Sequence, residues 1–122
     1  MENQELEGVI AKMKDLVDKY TYRVEWSEED NAHIATCLEL PTLKAHGKKI
    51  EMAIKAIKKV VSATLKWMKD DKEEIPEPFS TKQFKGNLTL RTSPEVHRQL
   101  ATQAAEQGVS INQYILSRVM DQ

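Results

Sequence analysis

The stretch Gly86-Asn87-Leu88-Thr89-Leu90-Arg91-Thr92-Ser93-Pro94-Glu95 alternates polar and apolar side chains and then meets a helix-opening signal. A period of two predicts a strand over residues 86–92, with Leu88 and Leu90 on one face and Asn87, Thr89 and Arg91 on the other. One face is core. The other carries side chains that can read bases: Arg forks onto guanine, Asn pairs with adenine, and Thr suits a base edge or the thymine methyl. A two-stranded ribbon lying in a major groove uses this chemistry.

After the strand, the residues are punctuated as two helices. Ser93 is an N-cap, Pro94 occupies the first helical position where its missing N–H costs nothing, and Glu95 faces the positive helix end. Val96, Leu100 and Ala104 repeat along the helix, and Gly108 is a left-handed terminator. Ser110-Ile111-Asn112-Gln113 is a capping box that opens a second helix, with Ile111, Ile115 and Val119 on one side and Leu116 and Met120 widening the stripe. About 35 residues of strand, helix, turn and helix cannot bury enough apolar surface to stand alone. Two copies are therefore expected to interlock and pair their strands into an antiparallel ribbon, with Leu88, Leu90, Val96, Leu100, Ile111 and Ile115 as the dimer core.

The pieces Arg91-Thr92-Ser93-Pro94-Glu95-Val96-His97 and Gly108-Val109-Ser110-Ile111-Asn112-Gln113 resemble the ribbon-helix-helix domain that ends many HicB antitoxins. Arc and MetJ share that architecture. The resemblance implies that Asn87, Thr89 and Arg91 read bases, with Lys85 beside them. It also implies that the helix opened by Ser110 and Asn112 holds a phosphate on its free N–H groups.

Composition bounds the remainder. The chain has 122 residues, 40% hydrophobic and 30% charged, which suits two small modules and not a disordered tail. It contains neither an apolar run long enough to span a bilayer nor a basic-then-apolar leader, so a cytoplasmic protein without membrane attachment is expected. The single Cys37 rules out an internal disulfide. With His33, His46 and His97 scattered it offers no metal-ligand spacing, so neither metal nor cofactor is expected and a buried, inert thiol is its reading. Charge is uneven: the balance is −6 over residues 1–43, +6 over 44–72, −3 over 73–80 and +2 over 81–122. Such a weakly basic C-terminal module needs an oligomer to contact several phosphates at once.

Upstream, Leu6, Val9, Ile10, Met13, Leu16 and Val17 predict an amphipathic helix over residues 5–19, packed on the adjoining domain. Tyr20, Tyr22, Val24 and Trp26 alternate with Thr21, Arg23 and Glu25 as a half-buried strand. Residues 33–40 read as a central strand through Ile34, Ala35, Cys37 and Leu38, and residues 43–46 as a third, ended by Gly47. Residues 48–70 form a long helix with Ile50, Ile54, Ile57, Val61, Leu65 and Met68 on one face; Lys48, Lys55, Lys59 and Lys66 make the other, ordinarily a solvated stripe.

Three strands, a helix, the Glu39-Leu40-Pro41 step and the Ile75-Pro76-Glu77-Pro78 exit resemble the HicB N-terminal domain, a small sheet with one helix described as a partial ribonuclease H-like fold. The first hairpin departs from the family's glycines with Asp30-Asn31-Ala32, and the second turn from its Pro-Gly with Pro41-Thr42. The expected fold is thus α+β: an amphipathic helix over residues 1–19, a HicB-like toxin-binding domain over 20–78, a linker over 79–85, and a dimerising ribbon-helix-helix over 86–122. Metal-dependent cleavage would need several carboxylates converging on two ions about 4 Å apart, and the acids here do not offer that pattern, so no enzyme is expected. The resemblance implies an antitoxin that neutralises a small HicA-like ribonuclease toxin and represses its own operon by binding operator DNA as a homodimer or tetramer. The alternative is a stand-alone ribbon-helix-helix regulator whose N-terminal domain oligomerises or binds a ligand.

Overall fold

A computed structural model describes residues 2–121 of the chain. It is α+β, and its residues fall into two compact units, 1–83 and 84–122.

The first unit opens with α1 (Glu2–Lys19), then β1 (Tyr22–Ser27), β2 (Ala32–Cys37), β3 (Leu40–Gly47) and α2 (Ile50–Asp70). The strands form an antiparallel meander in the order β1-β2-β3. Val24, Ala35 and Ala45 sit opposite one another in one cross-strand row. That row faces α2, whose Ala53, Ile57, Val61 and Leu65 are fully buried against the sheet. Small residues at the contact let the helix lie close. Gly47 takes this furthest: a Cβ there would meet the Ala53 backbone nitrogen at 2.6 Å and Met52 at 2.9 Å. Met13 and Val17 of the first helix and Tyr20 just after it complete the core, so α1 packs on the domain along its C-terminal half. Lys58 of α2 reaches Asp18 at 3.6 Å and lies 5.8 Å from the centre of the Tyr22 ring. The expected apolar stripe of α1 also included Leu6, whose side chain lies outside the described residues.

Two expectations about the sheet need correcting. The central strand ends at Cys37 instead of Leu40, because Cys37 pairs directly with Leu40 and makes Leu38-Glu39 a two-residue turn. The third strand accordingly starts at Leu40, and Leu38 is exposed. Trp26 has the right parity for the core yet is half exposed. It stands at the far end of β1 opposite His33, with its ring edge-on to the imidazole at 5.1 Å and its indole N–H donating to Glu28 at 2.8 Å.

Among the described residues of this unit the buried charged side chain is Glu39, in the second turn. Its carboxylate accepts the backbone N–H of Thr21 at 2.9 Å, the Thr21 hydroxyl at 3.2 Å and the backbone N–H of Phe79 at 2.9 Å. Burial raises its pKa, but the donors of Phe79 and Thr21 outweigh that and hold it below the ordinary carboxylate value. The segment after α2 is fastened at three further points. Ile75 packs on the core, the Tyr20 phenol donates to the Pro76 carbonyl at 2.8 Å, and the Ser80 hydroxyl donates to the Lys19 carbonyl at 2.7 Å. Burial, with the Cys37 and Glu39 charges behind it, pushes the Tyr20 phenol up to about 12. Cys37 is buried with a raised pKa, chiefly from desolvation, and so is a packing residue rather than a nucleophile.

The second unit contains α3 (Pro94–Glu106) and α4 (Ile111–Met120). Both helices start where their caps require. The Ser93 hydroxyl accepts from the Val96 N–H at 3.2 Å, and Ser110 and Gln113 exchange side-chain and backbone bonds at 3.0 and 3.1 Å. Gly108, at φ 69°, turns the chain out of α3, and the Val109 N–H closes on the Ala104 carbonyl at 3.0 Å. Residues 86–92 form no ladder within the single chain, and the strand expected there is one that pairs with a second copy. Gly86 itself, at φ 81°, is outside the strand region, so a ribbon can begin no earlier than Asn87.

Candidate nucleic-acid interface

Among the described residues from 84 onward the buried side chains are Ala104 and Tyr114. They lie where α3 and α4 cross. The Tyr114 phenol donates to the Gln103 side-chain oxygen and also accepts from the Arg118 Nε at 3.3 Å. The Arg118 guanidinium lies 5.5 Å from the ring centre. This polar lock fixes the angle between the helices without supplying a core.

Apolar side chains expected at the dimer core are instead open on the single chain. Leu88 is 98% exposed, Leu90 64% and Val96 43%, while Leu100, Ile111 and Ile115 are half-buried. Leu116, Val119 and Met120 add further exposed apolar surface on α4. Burying apolar area is worth about 25 cal/mol per Å², so this many large side chains in water is stabilisation that the single chain leaves unused.

The expected DNA-facing residues, Lys85, Asn87, Thr89, Arg91, Ser110 and Asn112, are all exposed. Asn87, Thr89 and Arg91 are consecutive odd positions of one segment, so once that segment is paired they share a face, with alternate side chains about 7 Å apart along it. Ser110 has a different part. Its hydroxyl is engaged by the Gln113 N–H and its own N–H by the Gln113 side chain, so it shapes the start of α4 and leaves the first-turn N–H groups of Ile111 and Asn112 without helical acceptors.

Sequence reasoning gave no structural role to Tyr114, and placed Glu39 at the end of the central strand without a partner. Glu39 did leave a signal, as a lone carboxylate between Leu38 and Leu40. In the first unit Glu25 is exposed on β1 and Glu28, Glu29 and Asp30 are exposed in the β1–β2 turn. Among the described residues no group of His, Cys, Asp and Glu is placed to hold a metal ion. No described helix is long and apolar enough to cross a membrane.

A family model described as the HicB family matches residues 69–119, which run from the last turn of α2 through the connecting segment and into α4. Over those residues the chain is similar to that family. No curated protein and no solved structure matches the chain.

Proposed function

We propose that this protein is a HicB-type antitoxin that neutralises a small HicA-like ribonuclease toxin through residues 20–78 and represses its operon by binding operator DNA through residues 86–122. The observation that carries the reading is the pairing of exposed leucines at Leu88 and Leu90 with a polar Asn87, Thr89 and Arg91 alternation immediately before two capped helices. A second copy of residues 87–92 supplies the missing ladder and covers both leucines. The resulting two-fold ribbon presents six base-reading side chains, three from each strand.

In this arrangement the first turn of α4, with the N–H groups of Ile111 and Asn112, meets a phosphate and sets the depth of the ribbon in the groove. Arg91 supplies the strongest base discrimination, through two parallel hydrogen bonds to one guanine. The balance of +2 over residues 81–122 gives little nonspecific attraction, so affinity depends on two or more copies acting together. The HicB-family match is consistent with an antitoxin, and its family relationship points to a toxin as the protein partner.

The test has two arms. The full chain, titrated onto labelled DNA from immediately upstream of its own gene, is expected to bind with a salt dependence steeper than one chain's cations explain. Co-expression with the small reading frame adjacent to that gene is expected to give a stable complex. Recovery of neither DNA binding nor a complex overturns the reading.

A further inference from the structure

One flank of α2 has no cover. Residues of an α-helix advance about 100° each, which places Met52, Ala56, Val60, Ala63 and Trp67 within an arc of about 80°. The arc lies beside the stripe buried on the sheet, on the side away from Lys58 and its partner Asp18 on α1. Trp67 is 74% exposed and Met52 53%; Ala63 is exposed, and Ala56 and Val60 are half-buried. A tryptophan left in water by three-quarters of its surface is uncommon in a finished assembly.

Val60 apart, these residues are placed symmetrically by size about a point between Lys59 and Val60. Ala56 and Ala63 stand three and a half positions from it, Met52 and Trp67 seven and a half, Lys49 and Asp70 ten and a half. Large side chains sit at both ends, alanines near the centre, and opposite charges at the two extremes. Lys49 and Asp70 are both exposed, and neither has an ion pair among the described residues.

We infer that this flank is a two-fold contact between copies of the chain, with α2 antiparallel to α2 of a second molecule. In that register Ala56 meets Ala63 of the partner copy, so the backbones can approach closely at the centre. Met52 packs on Trp67 of the partner copy at each end, and Lys49 meets Asp70 of the partner copy beyond it. Every contact then occurs twice. A parallel pairing would set Lys49 against Lys49 and Asp70 against Asp70. Lys55 and Lys66 lie further round the helix, while Lys59 borders the arc about 20° beyond Met52, where its long exposed side chain can turn outward to water. The self-matching order is what selects a second copy over an unrelated helix, which would have no reason to require Lys49 and Asp70 at mirror positions. This contact rests on the first unit alone, independent of the ribbon proposed for residues 86–92.

Two measurements test it on the full chain. With the ribbon disabled by Leu90→Asp, light scattering should still find a dimer, and adding Ala63→Glu, an exposed position that accepts a good helix former, should halve the mass with unchanged far-ultraviolet circular dichroism. A monomeric Leu90→Asp variant, or a double variant that stays dimeric, overturns the contact. Comparison of Leu90→Asp with the unmodified chain reports on the ribbon separately. For the register, the variant carrying both Ala56→Cys and Ala63→Cys should form a disulfide-linked dimer under mild oxidation. Either single variant should not, because its two thiols would be offset by about 10 Å along the helices, beyond disulfide reach. Cross-linking of the single variants, or none in the double variant, overturns the antiparallel arrangement.

Discussion

Glu39 and Phe79 are 40 positions apart in sequence and joined by a 2.9 Å hydrogen bond from the Phe79 backbone N–H to the Glu39 carboxylate. The same carboxylate holds the Thr21 N–H at the entrance to β1. One side chain in a two-residue turn thus ties the start of the sheet to the segment that leaves α2, where the first unit gives way to the second. The connection between the units therefore begins from a fixed point.

Replacing Glu39 with Gln should destabilise the first unit by about 1–3 kcal/mol, the usual cost of leaving buried donors poorly matched. Urea unfolding followed by tryptophan fluorescence measures this, because Trp26 and Trp67 both belong to the first unit. The pH response stems from the lowered pKa of Glu39. A carboxyl held below its unfolded value of about 4.5 contributes stability that is complete above that value and is lost as pH falls through the folded one. The unmodified chain should therefore lose stability in that acid window, and Glu39→Gln should flatten the loss. An equally steep acid limb in the variant would assign it to other groups.

Gly47→Ala should destabilise the first unit by at least 1 kcal/mol. The added methyl would fall 2.6 Å from the Ala53 backbone nitrogen, and a helix backbone cannot move aside as the tip of a flexible side chain can. The same urea titration reads the effect.

Ser110→Ala removes the hydroxyl that caps the Gln113 N–H, and should cost about 1 kcal/mol of stability in the second unit. If the first turn of α4 also meets a phosphate, DNA affinity should fall at all sequences alike, as binding titrations with operator and unrelated duplexes would show.

Leu90→Asp should abolish operator binding by separating the ribbon while leaving a complex with the toxin intact, because a charge opposite its own copy cannot be buried. Loss of both activities in gel shift and co-purification would mean that toxin binding also needs the ribbon.

Arg91→Ala should weaken operator binding by about 1–3 kcal/mol and relax preference at one base position. An unchanged affinity across single-base operator variants would remove residues 87–91 from the reading surface.

Legibility tracked the range of the interactions. The caps at Ser93 and Ser110, the stop at Gly108 and the long helix ending at Asp70 were readable because each depends on residues within a turn of one another. The first strand was readable from its period of two and the second from its apolar run, although the boundary between the second and third was not. The Cys37 to Leu40 pairing that shortens β2 is set by the turn between them and by what Glu39 must reach. Trp26 fits the alternation and is nevertheless exposed, because parity says which face a residue is on but not what covers it there.

By itself the sequence determined which segments become helices, which face of each is apolar, and that residues 84–122 carry more apolar surface than one copy can hide. Those properties are local or compositional, and no other part of the chain has to be placed to know them. Tertiary structure alone decided that Glu39 is a buried tie in a turn instead of a strand residue, that Tyr114 and Gln103 lock the last two helices, and that one flank of α2 is left open from Met52 to Trp67. Each depends on residues far apart in sequence arriving at one place, and whether a polar group is stabilising or a tryptophan is exposed is fixed only by what arrives beside it.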